Sequence, residues 1–519
     1  MLNIKSMQSS TFLQIYSFLT VILYGFYFFK EAYLDNLPLY YIPVAFMIIW
    51  QTLFICFRLL FPRRLIKQCS IILVICNAFV FYFMYTYHTP VDNVMIMNAL
   101  QTDTGEVSEL LNIKLLICLL FLGIVPAIII YLCSIRRAPY SKIFKYCGQS
   151  LAIILLLGGL FYQSTNLMLH RFKYLMNYLP PINYLAGGTE VLIDKLTPRP
   201  PLQKITEDIK KIPVTGKPNL IVFILGETSR AANFSLNGYH RPTNQALTPY
   251  LENIVYYPDV QSCGTSTAIS VPCMFSIYDR KHFKAGSEEY MENILDIYKA
   301  AGYKIRWLDN DGGCKDVCKR VLYEEPCDAK SCLDDVLLQN LKQKIEKYND
   351  NQLIVLHTRG SHGPSYHLHY DESSNIYQPI CTTQNLKDCT QEELINVYDN
   401  TIHYVSKFIA RTIDILQSVQ NQYNVALMYT SDHGESLKEN DIFLHAAPYK
   451  TAPIEQKQVP MLVWMPKNNE YGYDMECLKQ NAKQNHHSHD NIFHSLLGLV
   501  SIQSKNYQKE LDVFDGCKK

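Results

Sequence analysis

The stretch that decides the fold is residues 425–435, Val-Ala-Leu-Met-Tyr-Thr-Ser-Asp-His-Gly-Glu, in which an apolar run leads directly to an acid and a histidine. Similar runs occur at residues 220–225, 303–308, 353–357 and 459–464, with helical stretches between them. Short apolar strands that alternate with helices are typical of a mainly parallel sheet buried on both faces. Because active groups in such sheets lie at the carboxyl ends of strands, the residues that follow each run are the first place to look for a site.

Three of these strand ends carry side chains that bind metals. Glu227 follows the first run, His362 follows the third, and Asp432 and His433 follow the fourth, with His445 beyond them. Any one of these turns alone is weak evidence, since a single acid or histidine at a strand end is more often a satisfied polar group. Carboxylate and imidazole ligands together favour zinc or manganese over copper(I) or magnesium. The sequence therefore predicts that these side chains converge on a metal.

A hydroxyl-rich loop supplies a candidate nucleophile. Residues 262–273 read Ser-Cys-Gly-Thr-Ser-Thr-Ala-Ile-Ser-Val-Pro-Cys and lead into a predicted helix, whose N-terminus would attract an anionic substrate. An alcohol is a poor nucleophile near neutral pH and needs a base or a metal to activate it. An ordinary Ser/Thr helix cap is the alternative, and the acid and histidine turns favour the nucleophile.

The cysteines indicate an oxidising compartment for the second half. Six of the 16 lie before residue 168 among apolar residues, and ten lie after it. The ten fall into four close pairs and one distant pair, which are Cys263/Cys273, Cys314/Cys318, Cys327/Cys332, Cys381/Cys389 and Cys477/Cys517. Zinc ligation is the competing interpretation, but none of these spacings is the C-x-x-C typical of structural zinc sites. An even number of cysteines in an exported domain favours disulfides.

The first half has the composition of a membrane domain. Residues 1–168 contain 11 Lys/Arg and 6 Asp/Glu, so the net charge of +1 and the mean hydropathy of −0.03 for the whole chain average two unlike parts. These values exclude a disulfide mini-protein, a disordered chain and a basic nucleic-acid binder. Five apolar runs are each near the length that crosses a bilayer as a helix, at residues 11–29, 40–61, 69–87, 113–133 and 149–164.

Charges in the loops predict the orientation. Lys and Arg are retained on the cytoplasmic side, and the basic residues cluster in alternate loops, at Lys5, residues 63–67 and residues 136–145. We therefore expect a cytoplasmic N-terminus, a retained first span and a periplasmic second half. The expected organisation is a five-helix transmembrane domain over 1–168, an interfacial helix and linker over 169–218, and an α/β catalytic domain over 219–519.

One polar loop lies between the third and fourth predicted spans. Asn98, Thr102 and Glu106 are spaced four apart and would share one face of a helix there. From spacing alone, a solvated helical loop is the default interpretation.

The assembled motifs resemble those of the lipid A phosphoethanolamine transferases, the family that includes the mobilised colistin-resistance enzymes, within the alkaline phosphatase/sulfatase-like superfamily. The resemblance covers nearly the whole chain. The motifs are residues 226–233 (Gly-Glu-Thr-Ser-Arg-Ala-Ala-Asn), 263–273, 357–364 (His-Thr-Arg-Gly-Ser-His-Gly-Pro), 431–436 (Ser-Asp-His-Gly-Glu-Ser) with His445, and 488–491 (Ser-His-Asp-Asn).

This resemblance implies a set of site residues. Thr267 would be the nucleophile, and Glu227, Asp432 and His433 would hold zinc with the Thr267 oxygen as the remaining ligand. Other positions would bind phosphoethanolamine or a second zinc, or would contact the donor or the lipid headgroup. They are His362, His445, Lys315, Asn98, Thr102 and Glu106. The enzyme would hold one or two Zn²⁺ in all. The resemblance thus reverses the default interpretation of the polar loop.

The resemblance also implies a two-step reaction. Thr267, its pKa lowered by zinc, would attack phosphatidylethanolamine and release diacylglycerol, and a lipid A phosphate would then take the phosphoethanolamine group from the threonine. The modification would lower the negative charge of the surface and with it the attraction of polymyxins. The expected protein is a monomer in the bacterial inner membrane, in contact with membrane lipids and with lipid A or lipopolysaccharide, and without a nucleic-acid partner.

The sequence departs from the family pattern at two positions, and several alternative functions remain open. Arg359 stands where an apolar residue is usual in the family, and Lys438 stands where glycine is common. A phosphoethanolamine or phosphoglycerol transferase that acts on a core heptose or another glycan could share the fold, as could a sulfatase, although no Cys begins the Cys/Ser-x-Pro-x-Arg pattern that a sulfatase needs. A membrane sensor without catalytic activity is the alternative from another class.

Overall fold

The computed structural model describes residues 6–101, 110–214, 216–327, 332–468 and 470–519. The chain divides into two compact units. The first comprises Met1–Ile96 and Leu111–Ile193, and the second comprises Met97–Leu110 and Asp194–Lys519. The domain boundaries that the sequence predicted after residues 168 and 218 stay predictions.

The N-terminal part of the described chain is helical. Its helices are α1 Ser9–Tyr24, α2 Phe26–Leu34, α3 Ile42–Leu60, α4 Ile66–Tyr87, α5 Asn93–Gln101, α6 Ile113–Leu132, α7 Tyr140–Leu160, α8 Tyr162–His170, α9 Phe172–Met176 and α10 Ile182–Leu196. Among the described residues, four helices are long and apolar enough to cross a membrane, and α1 with α2 makes a fifth if this bent pair is one span. The expected five-helix membrane part agrees with this arrangement.

Two of the spans are less regular than their sequences suggest. The first breaks at Gly25, where α1 and α2 meet at 58°, because glycine lacks the side chain that stabilises a helix interior. Helix α6 contains a π-helical segment over Leu119–Ile124, directly before the turn that holds Pro126. Proline has no N–H to donate, so the hydrogen bonding of the preceding turn rearranges.

Polar side chains link three of the membrane helices. The Ser150 hydroxyl on α7 donates to Gln51 Oε1 on α3 at 2.6 Å, and Gln14 Nε2 on α1 donates to the same oxygen at 3.3 Å. Hydrogen bonds of this kind hold helices together where lipid offers no competing partner.

The segment expected to be an interfacial helix and a linker is more helical than predicted. Helix α10 begins directly after Pro180-Pro181, which the sequence suggested was part of a linker. Proline is tolerated at a helix N-terminus, since the first turn does not need its N–H. These prolines therefore begin a helix and do not interrupt one.

The second unit is built on a seven-stranded mixed sheet. Its strands are β1 Asn219–Gly226, β2 Ile254–Tyr257, β3 Lys304–Asp309, β4 Leu322–Glu324, β5 Gln352–His357, β6 Asn424–Ser431 and β7 Met461–Trp464. Their order is β2-β7-β6-β1-β5-β3-β4. The five strands from β6 to β4 are mutually parallel, and β7 runs antiparallel to both its neighbours. The predicted α/β fold with a mainly parallel sheet is confirmed.

The centre of the sheet is apolar on both faces. Every residue of β1 from Leu220 to Gly226 is buried, as are all of β5 and β6 on either side. The helices of this unit are α11 Thr267–Met274, α12 Ile294–Ala300, α13 Leu341–Glu346, α14 Gln391–Val419, α15 Met475–Gln484 and α16 Asp490–Leu499. Continuous hydrophobic strands are stable only when helices cover both faces of the sheet.

The strand register brings the predicted turns to one edge. Leu225 of β1 pairs with His357 of β5 and with Thr430 of β6, and Gly226 pairs with Ser431. The residues that follow these three strands therefore emerge side by side, although they come from distant parts of the sequence.

Five disulfides reinforce the second unit. They join the pairs expected from the sequence, Cys263–Cys273, Cys314–Cys318, Cys327–Cys332, Cys381–Cys389 and Cys477–Cys517. The six cysteines of the membrane part are free thiols.

Candidate active site

The carboxyl ends of β1 and β6 hold three buried side chains that face one another. His433 Nε2 lies 3.2 Å from Glu227 Oε1 and 3.3 Å from Asp432 Oδ2, and all three side chains are inaccessible to solvent. One ligand atom from each lies within 4.8 Å of the other two, which is close enough to hold a metal ion. The Asp432 Oδ2 atom has no hydrogen-bond partner in the described chain, as expected of an oxygen reserved for a cation.

Thr267 completes this cluster from the neighbouring loop. It is the first residue of α11, and its hydroxyl donates to Glu227 Oε2 at 3.1 Å and lies 3.4 Å from His433 Nε2. Unlike Ser266 before it, Thr267 is only partly buried. A substrate can therefore reach the hydroxyl, whereas the three ligands behind it are shielded.

The hydrogen bonds of His433 define its tautomer. Its Nδ1 lies 2.9 Å from the Gly434 carbonyl oxygen, which can only accept. In the neutral ring the proton is therefore on Nδ1, and Nε2 presents a lone pair to Glu227 and Asp432. This is the form that binds a metal ion.

A second pair of histidines lies beside this cluster. The ring of His445 is 4.5 Å from that of His433 and 5.6 Å from that of His362. Burial, reinforced by the neighbouring His445, holds the pKa of His362 well below its usual range, so that its ring is neutral. The structure thus brings together Glu227, Thr267, Asp432 and His433, with His362 and His445 alongside.

The orientation of His445 depends on Glu435, a residue to which the sequence assigned no role. Glu435 Oε2 accepts from His445 Nδ1 at 2.8 Å, and its Oε1 accepts from the Tyr366 hydroxyl at 2.6 Å. Glu435 is fully buried. A carboxylate on one ring nitrogen fixes the tautomer and makes the other nitrogen more basic.

A further group that the sequence analysis missed lies at the end of β3. Asp311 and His357 each place a ligand atom within 4.8 Å of Glu227, and Asp309 Oδ2 lies 2.9 Å from His357 Nδ1. Burial opposes the charged imidazole, but the Asp309 carboxylate outweighs it and raises the pKa of His357. The charged form of this ring is therefore favoured relative to that of a free histidine. The strand-end rule could have found Asp309, which directly follows the run 303–308.

Two turns keep the ligands in place by unusual backbone geometry. Thr228 has a φ of 51° and donates its N–H to Asp432 Oδ1 at 3.2 Å. Gly360, with a φ of 54°, packs against the Glu227 backbone, where a Cβ would lie 2.6 Å from the carbonyl oxygen. The turn that carries His362 therefore requires glycine at residue 360.

The remaining predicted residues are placed less completely. Lys315 has a φ of 46° in the loop after β3, and its Nζ donates to the Gly312 carbonyl at 3.4 Å. Asn98 lies in helix α5, whereas Thr102 and Glu106 fall outside the described residues. Their shared role stays a prediction.

The two departures from the family pattern have structural explanations. The Arg359 backbone N–H donates to Asp334 at 2.8 Å, and its Nε donates to the Asn310 carbonyl at 3.2 Å. Lys438 is exposed and has a φ of 88°, the conformation that favours glycine. Neither residue belongs to the ligand cluster.

His489 is a buried histidine between the loop and helix that carry Thr267 and the end of β6. Its Nδ1 lies 3.1 Å from the Cys263 backbone nitrogen and 3.2 Å from the Ser270 hydroxyl, and its Nε2 lies 3.0 Å from the Ser431 carbonyl oxygen. Burial lowers the pKa of His489 to about 4, so the ring is neutral at physiological pH. The sequence contained it in a motif but gave it no role.

Comparison with known proteins agrees with this geometry. The sulfatase family matches residues 219–502, and the N-terminal family described as phosphoethanolamine transferase EptA/EptB matches residues 49–196. The phosphoethanolamine transferase EptA of Escherichia coli K12 is 38% identical over 471 residues, which cover 87% of this chain and 86% of that protein. The phosphatidylethanolamine transferase Mcr-1 of Escherichia coli is 34% identical and covers 83% of this chain and 84% of its own length.

A solved structure extends the similarity to both units. The integral membrane protein lipooligosaccharide phosphoethanolamine transferase A of Neisseria meningitidis superposes with a TM-score of 0.94 at 31% identity, covering 99% of this chain and 100% of that one. The similarity includes the apolar helices as well as the sheet that carries Glu227, Asp432 and His433. The chain belongs to the phosphoethanolamine transferases and is a membrane enzyme of that family.

Proposed function

We propose that this enzyme transfers phosphoethanolamine from phosphatidylethanolamine to a phosphate of lipid A through a covalent adduct on Thr267. The observation that carries the proposal is the position of the Thr267 hydroxyl, which is partly exposed and 3.1 Å from Glu227 at the first turn of α11. The Neisseria relative is a lipooligosaccharide phosphoethanolamine transferase, which supports a lipid A-bearing acceptor.

The residues at the strand ends suit zinc. The ligand set consists of two carboxylates and one imidazole, whose Nε2 lone pair faces the carboxylates. The Thr267 oxygen can take the fourth position. When bound, zinc supplies Lewis-acid chemistry, lowering the pKa of a hydroxyl and drawing charge from phosphoryl oxygens.

The chain itself aligns the attack. In the first step the Thr267 hydroxyl gives up its proton to Glu227, to which it is hydrogen-bonded, and its oxygen forms a bond to phosphorus. The bond from phosphorus to the diacylglycerol oxygen breaks, and that oxygen takes up a proton. In the second step a lipid A phosphate oxygen forms a bond to the same phosphorus, the bond from phosphorus to the Thr267 oxygen breaks, and the threonine oxygen is protonated again. His362, His445 and Lys315 would contact the phosphoethanolamine group and offset charge on its oxygens.

The membrane part gives the site access to lipid substrates. The loop charges favour a cytoplasmic N-terminus and a periplasmic second unit, in the inner membrane of a bacterium. Addition of an ammonium group to lipid A lowers its net negative charge, so we expect cells that express the enzyme to resist polymyxins. We further expect it to act as a monomer.

The proposal is tested by replacing the nucleophile. Thr267→Ala keeps Glu227, Asp432 and His433 and should retain zinc, but it should form no phosphoethanolamine adduct and no modified lipid. Mass spectrometry of the protein and of lipid A from expressing cells measures both. An adduct or modified lipid A in the alanine variant would contradict the nucleophile, and a phosphoethanolamine group found only on core sugar would change the acceptor.

A further inference from the structure

His489 connects two segments that carry different parts of the site. Cys263 and Ser270 flank Thr267 on the loop and on helix α11, and Ser431 directly precedes Asp432 at the end of β6. The His489 ring contacts all three, and only 1% of it is exposed to solvent. One side chain therefore joins the nucleophile segment to the ligand turn.

A single neutral tautomer satisfies these contacts. The Ser431 carbonyl can only accept, so His489 Nε2 carries the proton and donates to it at 3.0 Å. Nδ1 is then a lone pair that accepts from the Cys263 N–H at 3.1 Å. The Ser270 hydroxyl faces Nδ1 at 3.2 Å and also contacts the Asp432 carbonyl oxygen.

One covalent constraint on this loop acts locally, and hydrogen bonds of Ser262 and Thr265 tie it to residues 446–457. The disulfide Cys263–Cys273 ties the loop to its own helix, but it makes no connection to β6. The direct side-chain links from this segment to the ligand turn run through His489 and Ser270, together with the contacts of Thr267 itself. Displacement of a nucleophile by about 1 Å can cost on the order of 100-fold in rate.

We propose that His489 is a positioning residue that fixes the Thr267 hydroxyl relative to Asp432 and His433. This inference rests on the proposed function, since it assumes that Thr267 is the nucleophile. His489 does not touch the reacting atoms, and it acts through the Cys263 amide, the Ser270 hydroxyl and the Ser431 carbonyl.

The test compares His489→Ala with a matched control on helix α16, which begins directly after His489. His494 is also a buried histidine, 2% exposed, and its Nδ1 accepts from the Gln508 N–H at 3.1 Å, away from the nucleophile loop. In the full-length protein we expect His489→Ala to lower kcat and the rate of Thr267 adduct formation by about 10- to 100-fold. In His489→Ala, the KM for phosphatidylethanolamine and the zinc stoichiometry should change less than twofold. His494→Ala should lose a similar amount of Tm but keep kcat within about twofold of the wild type.

Two conservative variants keep the proposal falsifiable if the alanine variant does not fold. The side-chain oxygen of His489→Asn can replace Nδ1 as an acceptor, and the amide nitrogen of His489→Gln can replace Nε2 as a donor. Each should restore part of the adduct rate. Wild-type kcat in both variants, or equal losses of kcat in His489→Ala and His494→Ala, would overturn the positioning role.

Failure of this inference can be separated from failure of the proposed function. If Thr267→Ala still forms the adduct, the nucleophile is wrong whatever His489 does. If Thr267→Ala forms none and His489→Ala behaves like His494→Ala, only the positioning role is wrong.

Discussion

Single hydrogen bonds determine which histidine lone pairs face the candidate site. The Gly434 carbonyl holds the proton of His433 on Nδ1, and Glu435 does the same for His445. Each ring therefore presents Nε2 as an acceptor. The sequence motif does not reveal such hydrogen-bond partners, because each one acts on its histidine only through the direction of one hydrogen bond.

Glu435→Gln tests the orientation of His445. The amide lacks the negative charge with which Glu435 holds His445 Nδ1 and orients the ring, so we expect kcat/KM to fall by about tenfold. Tyr366→Phe, which leaves the Glu435 contact to His445 intact, should have a smaller effect. Steady-state assays of both variants measure this, and wild-type activity in Glu435→Gln would show that the carboxylate is not required.

Another carboxyl group, that of the half-buried Glu288, makes stability depend on pH. Burial raises the pKa of Glu288 from 4.5 to about 7, and its Oε2 has no hydrogen-bond partner in the described chain. Because the folded state prefers the protonated form, the stability that this group contributes is fully present below about pH 4.5 and is lost as the pH rises through 7.

Glu288→Gln should remove this pH dependence. The variant should be more stable than the wild type at pH 8 by about 3 kcal/mol, from roughly 1.4 kcal/mol per pKa unit, and the difference should vanish near pH 4.5. Thermal unfolding of the full-length protein at several pH values measures it. A difference in Tm that is the same at every pH would rule out the titration of Glu288 as its cause.

At the level of elements, the strand-end rule located most of the metal cluster from sequence. Glu227, Asp432 and His433 each follow an apolar run, and parallel pairing of β1 with β6 brings them together. The π-helical turn in α6 and the whole of α10 were not predicted, because apolar composition does not specify hydrogen-bond register and prolines suggested a linker. The link between Ser270 and His489, 219 residues apart, depends on tertiary distance alone.

Two of the disulfides test how the length of a closed loop affects the stability of the second unit. Cys477–Cys517 spans 40 residues and ties α15 to the C-terminus, whereas Cys314–Cys318 spans 4. Since a longer loop loses more entropy when it is closed, the double serine variant of the first pair should lose about 2 kcal/mol more stability than that of the second. Denaturant unfolding measures both, and equal losses would contradict the loop-entropy explanation.

For the whole molecule, the membrane part and the sheet unit have opposite charge balances and different cysteine chemistry. The basic loops lie between α3 and α4 and between α6 and α7, and the five disulfides all lie in the second unit. Both features are consistent with a cytoplasmic N-terminus and an exported catalytic unit.

Reporter fusions test this orientation. Alkaline phosphatase, which is active only after export, should be inactive when fused after residue 64 or 137 and active when fused after residue 36 or 519. Fusions of a cytoplasm-specific fluorescent protein should give the reverse pattern. An active phosphatase fused after residue 137 would invert the proposed topology.

The distance in sequence between the ligands has a consequence for how the enzyme matures. Thr228 and Asp432 are 204 residues apart but hydrogen-bonded, so the ligand cluster cannot form until almost the entire second unit has been translocated and its central strands have paired. In the proposed topology the ion is therefore acquired on the far side of the membrane. With zinc as the proposed ion, its scarcity in that compartment would leave a folded and correctly inserted enzyme inactive, even in a cell whose cytoplasm is rich in the metal.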